Sequence, residues 1–219
     1  EDLCEALAPV RSLLEHPQRN LETTRKRLLG SLHRSWQAEL EQLRRQRFLG
    51  IQKRTQWLVA GAVFVSPVPT TDLLAVAVVN GLMIKEMAGI WGCSLKPEVL
   101  QLAARQLAGV ALAQGVVEWS GQALLGVAKL DGSSWFAAGA LQALSAAYLT
   151  RVVGRSMADW LALNSGVAEP DLEALKLQAP LLVAKAAEQE RLDWSSFLQQ
   201  GTSWIKDFAS QRAIESSPA

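Results

Sequence analysis

Residues 57–91 read WLVAGAVFVSPVPTTDLLAVAVVNGLMIKEMAGIW, the most apolar stretch of a 219-residue chain. No charge occurs from Trp57 to Thr71 or from Leu73 to Ile84; Asp72 alone separates the two runs. Pro67 and Pro69 remove backbone donors and drive the residues before them out of the α region. One straight spanning helix fits poorly, and the expectation is an apolar helical hairpin broken at Ser66-Pro67-Val68-Pro69. Thr70 and Thr71 can cap the second helix, and Asp72 in its first turn suits the positive end of the dipole. On a regular helix Asp72, Asn80, Met83 and Glu86 share one arc, a polar stripe expected to face water, a polar partner or lipid headgroups. Each half of the hairpin has only ~15 apolar residues, which fits a buried core helix or re-entrant segment better than a full span.

Upstream, residues 1–20 read as a short helix ended by Pro17, with Leu3, Leu7, Val10 and Leu14 at helical spacing. From Leu21 to about Trp57 a long helix is expected, since Leu28, Leu32, Trp36, Leu40, Leu43 and Phe48 recur near its period. Nine basic residues lie between Arg25 and Arg54, against Glu39 and Glu41. Arg44, Arg45, Arg47, Lys53 and Arg54 stand just ahead of the apolar run and are the candidate membrane-surface residues. A basic amphipathic helix in that place reads as a surface helix on the cytoplasmic side of a membrane. The plainer reading is the solvated face of a soluble bundle.

Downstream, residues 92–97 form a connector and 98–130 one helix or two, with Gln114, Glu118, Gln122 and Lys129 on one face. Asp131-Gly132-Ser133 reads as a turn. Nineteen uncharged residues from Gly132 to Thr150 reach the lower edge for a spanning helix, and Gly139, Ala143 and Ala147 allow close helix packing. Arg151, Arg155 and Asp159 then make one charged face, on which Arg155 and Asp159 can pair. Asn164-Ser165-Gly166 is a stop signal. Two amphipathic helices over 170–191 and 193–212 close the chain. The tail from 166 carries eight acidic and five basic residues, opposite in sign to 25–54.

The totals agree with this layout. Hydrophobic residues make up 49% and the net charge is +1, which argues against nucleic acid as a partner. Ala, Leu and Val dominate, and that mix favours helices over sheets. The expected fold is an all-α, Ala-rich helical bundle with a basic helical segment at 1–55, an apolar core at 56–165 and an amphipathic tail at 166–219. Cys4 and Cys93 suggest no disulfide framework, so a reducing compartment is expected. The chain begins with Glu, as a fragment or processed product would.

No phosphate-binding GxxxxGK[ST], no GxGxxG and no GxSxG occurs. His16 and His33 are isolated, with no metal-ligand spacing. Asp72 is explained as a helix cap after the Pro-x-Pro break. Glu118 is the candidate buried acid. Trp57, Trp91, Trp119, Trp135 and Trp160 lie near the ends or polar faces of apolar segments, as an interfacial belt or as plain core residues. No catalytic residue, cofactor or metal is expected.

Gln56-Trp57-Leu58-Val59-Ala60-Gly61-Ala62, Ser66-Pro67-Val68-Pro69, Asp72-Leu73-Leu74, and Met83-Ile84 leading to Gly92-Cys93 resemble the YcjF-type family of helical domains, domain-of-unknown-function family 697. Ser145-Ala146-Ala147-Tyr148-Leu149-Thr150-Arg151 with Gly154-Arg155 extends the resemblance, which covers roughly residues 56–164 and looks most like the cyanobacterial members. It implies a membrane-associated module that in many members follows a Ras-like GTPase domain. No P-loop or NKxD occurs here, so a GTPase domain would act in cis on a longer chain or in trans.

The functional expectation is non-enzymatic: a module on the cytoplasmic face of a membrane (inner or thylakoid, if bacterial) that couples a GTPase or partner protein to anionic lipid through its basic segment. Homo-oligomerisation is left open. The rival is a soluble all-α protein-interaction domain of the cytoplasm.

Overall fold

The computed structural model describes the backbone of residues 5, 7–15, 17–65, 69–93, 96–128, 134–166 and 171–215, and the side chains of 5, 7–11, 21–64, 79–93, 96–124, 139–166, 171–207 and 210. These residues form eight helices and, among them, no strand: α1 (Ala8–Glu15), α2 (Pro17–Val65), α3 (Pro69–Trp91), α4 (Pro97–Ala113), α5 (Val116–Ala128), α6 (Ser134–Leu163), α7 (Leu172–Leu192) and α8 (Trp194–Glu215). The protein is all-α. It divides into two compact units, Glu1–Arg44 and Arg45–Ala219.

Local chemistry sets the helix ends. α1 ends at Glu15, ahead of Pro17 as the sequence leads one to expect, and Pro17 opens α2, because a proline at the first helical position gives up only a donor that would be orphaned anyway. Pro97 opens α4 in the same way, after an extended Lys96. Gly92, Gly115 and Gly166 carry φ of +70°, +70° and +83°. At Gly115 that left-handed residue divides 98–130 into two helices, α4 and α5. The Asp171 carboxylate accepts from the Glu173 amide at 2.8 Å and caps α7.

Unit 2 is built around α6, which packs on α3, α4, α5 and α7; α4 also meets α3, α5 and α7. Residues of α2 and α3 pair antiparallel, Phe48 edge-on to Trp91 and Arg54 bonded to Glu86. Small residues let these backbones close up. Ala143 and Ala147 are fully buried, and a Cβ at Gly154 would sit 3.2 Å from Met83 Cε. The small-residue series therefore packs a tight core. Among the described residues, no helix is long and apolar enough to cross a membrane. The uncharged run to Thr150 instead continues along α6 through buried Arg151.

The hairpin expectation is met at its edges. α2 ends at Val65 and α3 begins at Pro69, while 66–68, with Pro67, lie outside the described residues, as do the side chains of Pro69 and Asp72 and the turn at 131–133. The polar stripe on α3 needs correction. Asn80 and Met83 are 4% and 2% exposed, and of the described stripe side chains Glu86 alone reaches solvent, because α6 covers that side of the helix where Gly154 admits Met83. The interfacial-belt reading of the tryptophans also fails where it can be seen. Trp91 and Trp160 are buried and Trp57 and Trp119 pack on the core; Trp135 lies outside the described side chains.

Candidate functional site

Among the described residues, three groups stand out. The first is a buried clamp. α6 presents Arg151 and Arg155 one turn apart, and both reach Glu190 of α7, which is fully buried. Arg151 Nε donates to Oε2 of Glu190 and Arg155 Nε to Oε1, the latter at 2.6 Å. Arg155 extends to Gln189 and Asp193. The Arg151 guanidinium lies 5.4 Å from the centre of the Phe197 ring, and its carbonyl accepts from Gln52 Nε2 at 2.8 Å. A fully buried carboxylate is tolerable only when its oxygens are satisfied. Here both are, so the geometry fixes α7 against α6 and leaves no free acid or base. The sequence expectation that Arg155 pairs with Asp159 is corrected: Arg155 turns to Glu190 of α7, and Asp159 is met by other bases.

Asp159 has other partners. Arg45 Nη1 lies 2.6 Å from Oδ1, and Lys185 Nζ 3.0 Å from Oδ2, close enough for a strong charge contact though not aligned as a hydrogen bond. Desolvation alone would raise this carboxyl; the contacts with Lys185 and Arg45 outweigh it and hold the group below its ordinary value. Arg45 also stands 5.8 Å from the Trp91 ring centre.

Around the clamp lies an aromatic cluster. Tyr148, Trp119, Trp194 and Phe197 meet at centroid separations of 4.9–5.7 Å, and Trp57 stacks between Phe197 and Trp204. The Tyr148 hydroxyl is buried without a hydrogen-bond partner. Burial first, and the Glu190 charge second, push its pKa up to about 12. A tyrosine so held is neither acid nor nucleophile near neutral pH. Among the described residues no group of His, Cys, Asp and Glu is placed to hold a metal.

The residues singled out from sequence are scattered. Of the five basic candidates, Arg45 is tied to Asp159 and Arg54 to Glu86, which leaves Arg47 and Lys53 exposed beside exposed Leu49. Arg44 is half-buried in unit 1. Glu118 is exposed, a correction to the buried-acid expectation. It sits in the first turn of α5 and reaches back over Gly115, 3.6 Å from where a Cβ would be, where the helix dipole favours it. The clamp was hinted at only by two arginines at i and i+4 in an Ala-rich helix; nothing local marks Glu190 as their partner.

The third group lies in unit 1. Leu21, Leu28, Leu29, Leu32, Trp36 and Leu43 are 55–69% exposed on α2. Their spacing puts them on one stripe, with Arg25 and Glu39 among them, and a largely apolar exposed stripe is the kind of feature that marks an interaction surface.

A family model described as Domain of unknown function (DUF697) matches residues 27–188. No curated protein and no solved structure matches the chain.

Proposed function

The chain belongs to the DUF697 family, and from that premise we propose that it is a non-enzymatic helical association module, binding partner macromolecules through the exposed stripe of α2 and not inserting its 57–91 hairpin into a bilayer. The observation that carries this reading is a contrast. Among the described side chains, most large apolar residues of α3, α4 and α6 pack on one another in a core, while six large apolar side chains lying on one stripe of α2 are 55–69% exposed. The clamp on Glu190 is saturated and the Tyr148 hydroxyl is orphaned, so neither of these buried groups forms a catalytic pair. The family resemblance adds a Ras-like GTPase domain, in cis or in trans, as a candidate partner. Lipid contact, where it occurs, is peripheral and falls to exposed bases such as Arg47 and Lys53.

Flotation of the protein with phosphatidylserine-containing vesicles, followed by salt and carbonate washes, tests the proposal. Complete release by either wash is expected. Retention through carbonate would mean that the hairpin inserts and would overturn the reading.

A further inference from the structure

We infer that one occupant of the α2 stripe is a second copy of this chain, paired antiparallel through residues 21–44; this rests on the reading of the stripe as an association surface. Counted in sevens, Glu22, Leu29, Trp36 and Leu43 recur on one edge of the helix, and Arg25, Leu32 and Glu39 on the other. Those are the two positions that meet across a helix pair. All seven side chains are exposed. The seam is apolar in its middle and charged toward its ends.

The charges choose the orientation. In a parallel pair, Glu22 faces Glu22, Arg25 faces Arg25 and Glu39 faces Glu39, three layers of like charge drawn out of water. That arrangement is selected against. Turned antiparallel about a centre near Arg34, Leu32 of one copy meets Trp36 of the other. At 1.5 Å rise per residue, Arg25 then comes within about one turn, ~6 Å along the axis, of Glu39 on the opposite copy, and Glu22 within ~3 Å of the level of Arg44. Each acid of the seam then has a base of the other copy within about one turn along the axis, twice over by symmetry, where the parallel pair has only like charges opposed. An anionic bilayer is a poorer match, because Glu22 and Glu39 lie in the seam and lipid phosphates repel both.

Sedimentation velocity of the full chain across micromolar to submillimolar concentration tests this. A reversible doubling of mass is expected. Leu32→Glu places charge at the centre of the seam and should raise the dimer dissociation constant by ~30-fold or more. Because Leu32 is exposed, the helix content and melting of the dilute protein should not change. Glu39→Arg should weaken the dimer, and adding Arg25→Glu on the same chain should restore it to within about threefold of the native chain. A monomer at every concentration overturns the proposal. So does a dimer indifferent to Leu32→Glu, or a charge swap that fails to restore pairing. Monomeric protein recruited to phosphatidylserine vesicles through Leu32 would assign the stripe to lipid and equally overturn it. None of these results requires hairpin insertion, which only carbonate-resistant retention reveals.

Discussion

Tyr148 carries a hydroxyl into the core with nothing to bond it. Leaving a buried polar group unpaired costs roughly 1–3 kcal/mol, so Tyr148→Phe should raise stability by about 1 kcal/mol in urea melts. The alkaline limb tests the same residue. Its folded pKa of about 12 lies above the ordinary 10.0, so the stabilisation is complete below pH 10 and is lost as pH rises toward 12. The Phe variant should lack that loss. Asp159 works in the opposite sense. Its folded pKa lies below the ordinary 3.8, so its contribution is present above that pH and drains away as pH falls through the folded value. Asp159→Asn should flatten the acid limb of the stability profile. At Glu190, truncation to Ala leaves two arginines facing an empty site and should cost ~3–5 kcal/mol, a far larger loss than at the half-exposed Arg54–Glu86 pair. Single-residue chemistry of this kind was scarcely legible in the sequence. Arg155 and Asp159 satisfy the local pairing rule, but the partner that wins lies 35 residues away, and only the folded core decides which carboxylate is dry.

Helices were far more legible, because their signals are local. Apolar spacing marked α2, α7 and α8, and the Pro-x-Pro run bounded α2 and α3. Gly115 shows where local reading ran short, since the polar face of Gln114, Glu118 and Gln122 continues smoothly across it. Only its φ of +70° shows that the chain turns there. Gly115→Ala would force a side chain into the left-handed region and should destabilise unit 2 by about 1 kcal/mol. The small residues of α6 likewise invited a lipid reading. Alanine and glycine permit close approach in either solvent; here they let α6 pack closely on its neighbours, with Arg151 and Asp159 buried on the same helix.

At the scale of the molecule, the two units should differ in what their stability depends on. Residues 45–219 alone should melt cooperatively, with a midpoint independent of protein concentration. The full chain should gain a midpoint that rises with concentration if copies pair through 21–44, as linkage requires. Calorimetry at two concentrations separates the two cases. Cys93 supplies a means of watching the same core breathe. Its thiol is 5% exposed and donates to the Asn164 carbonyl at 3.4 Å, where α3 and α6 finish side by side. A disulfide reagent reaches that sulfur only when the two helix ends part. With Cys4 replaced by Ser, the labelling rate therefore becomes a clock for local opening, and its ratio to the rate of a free thiol reports how seldom the door stands ajar.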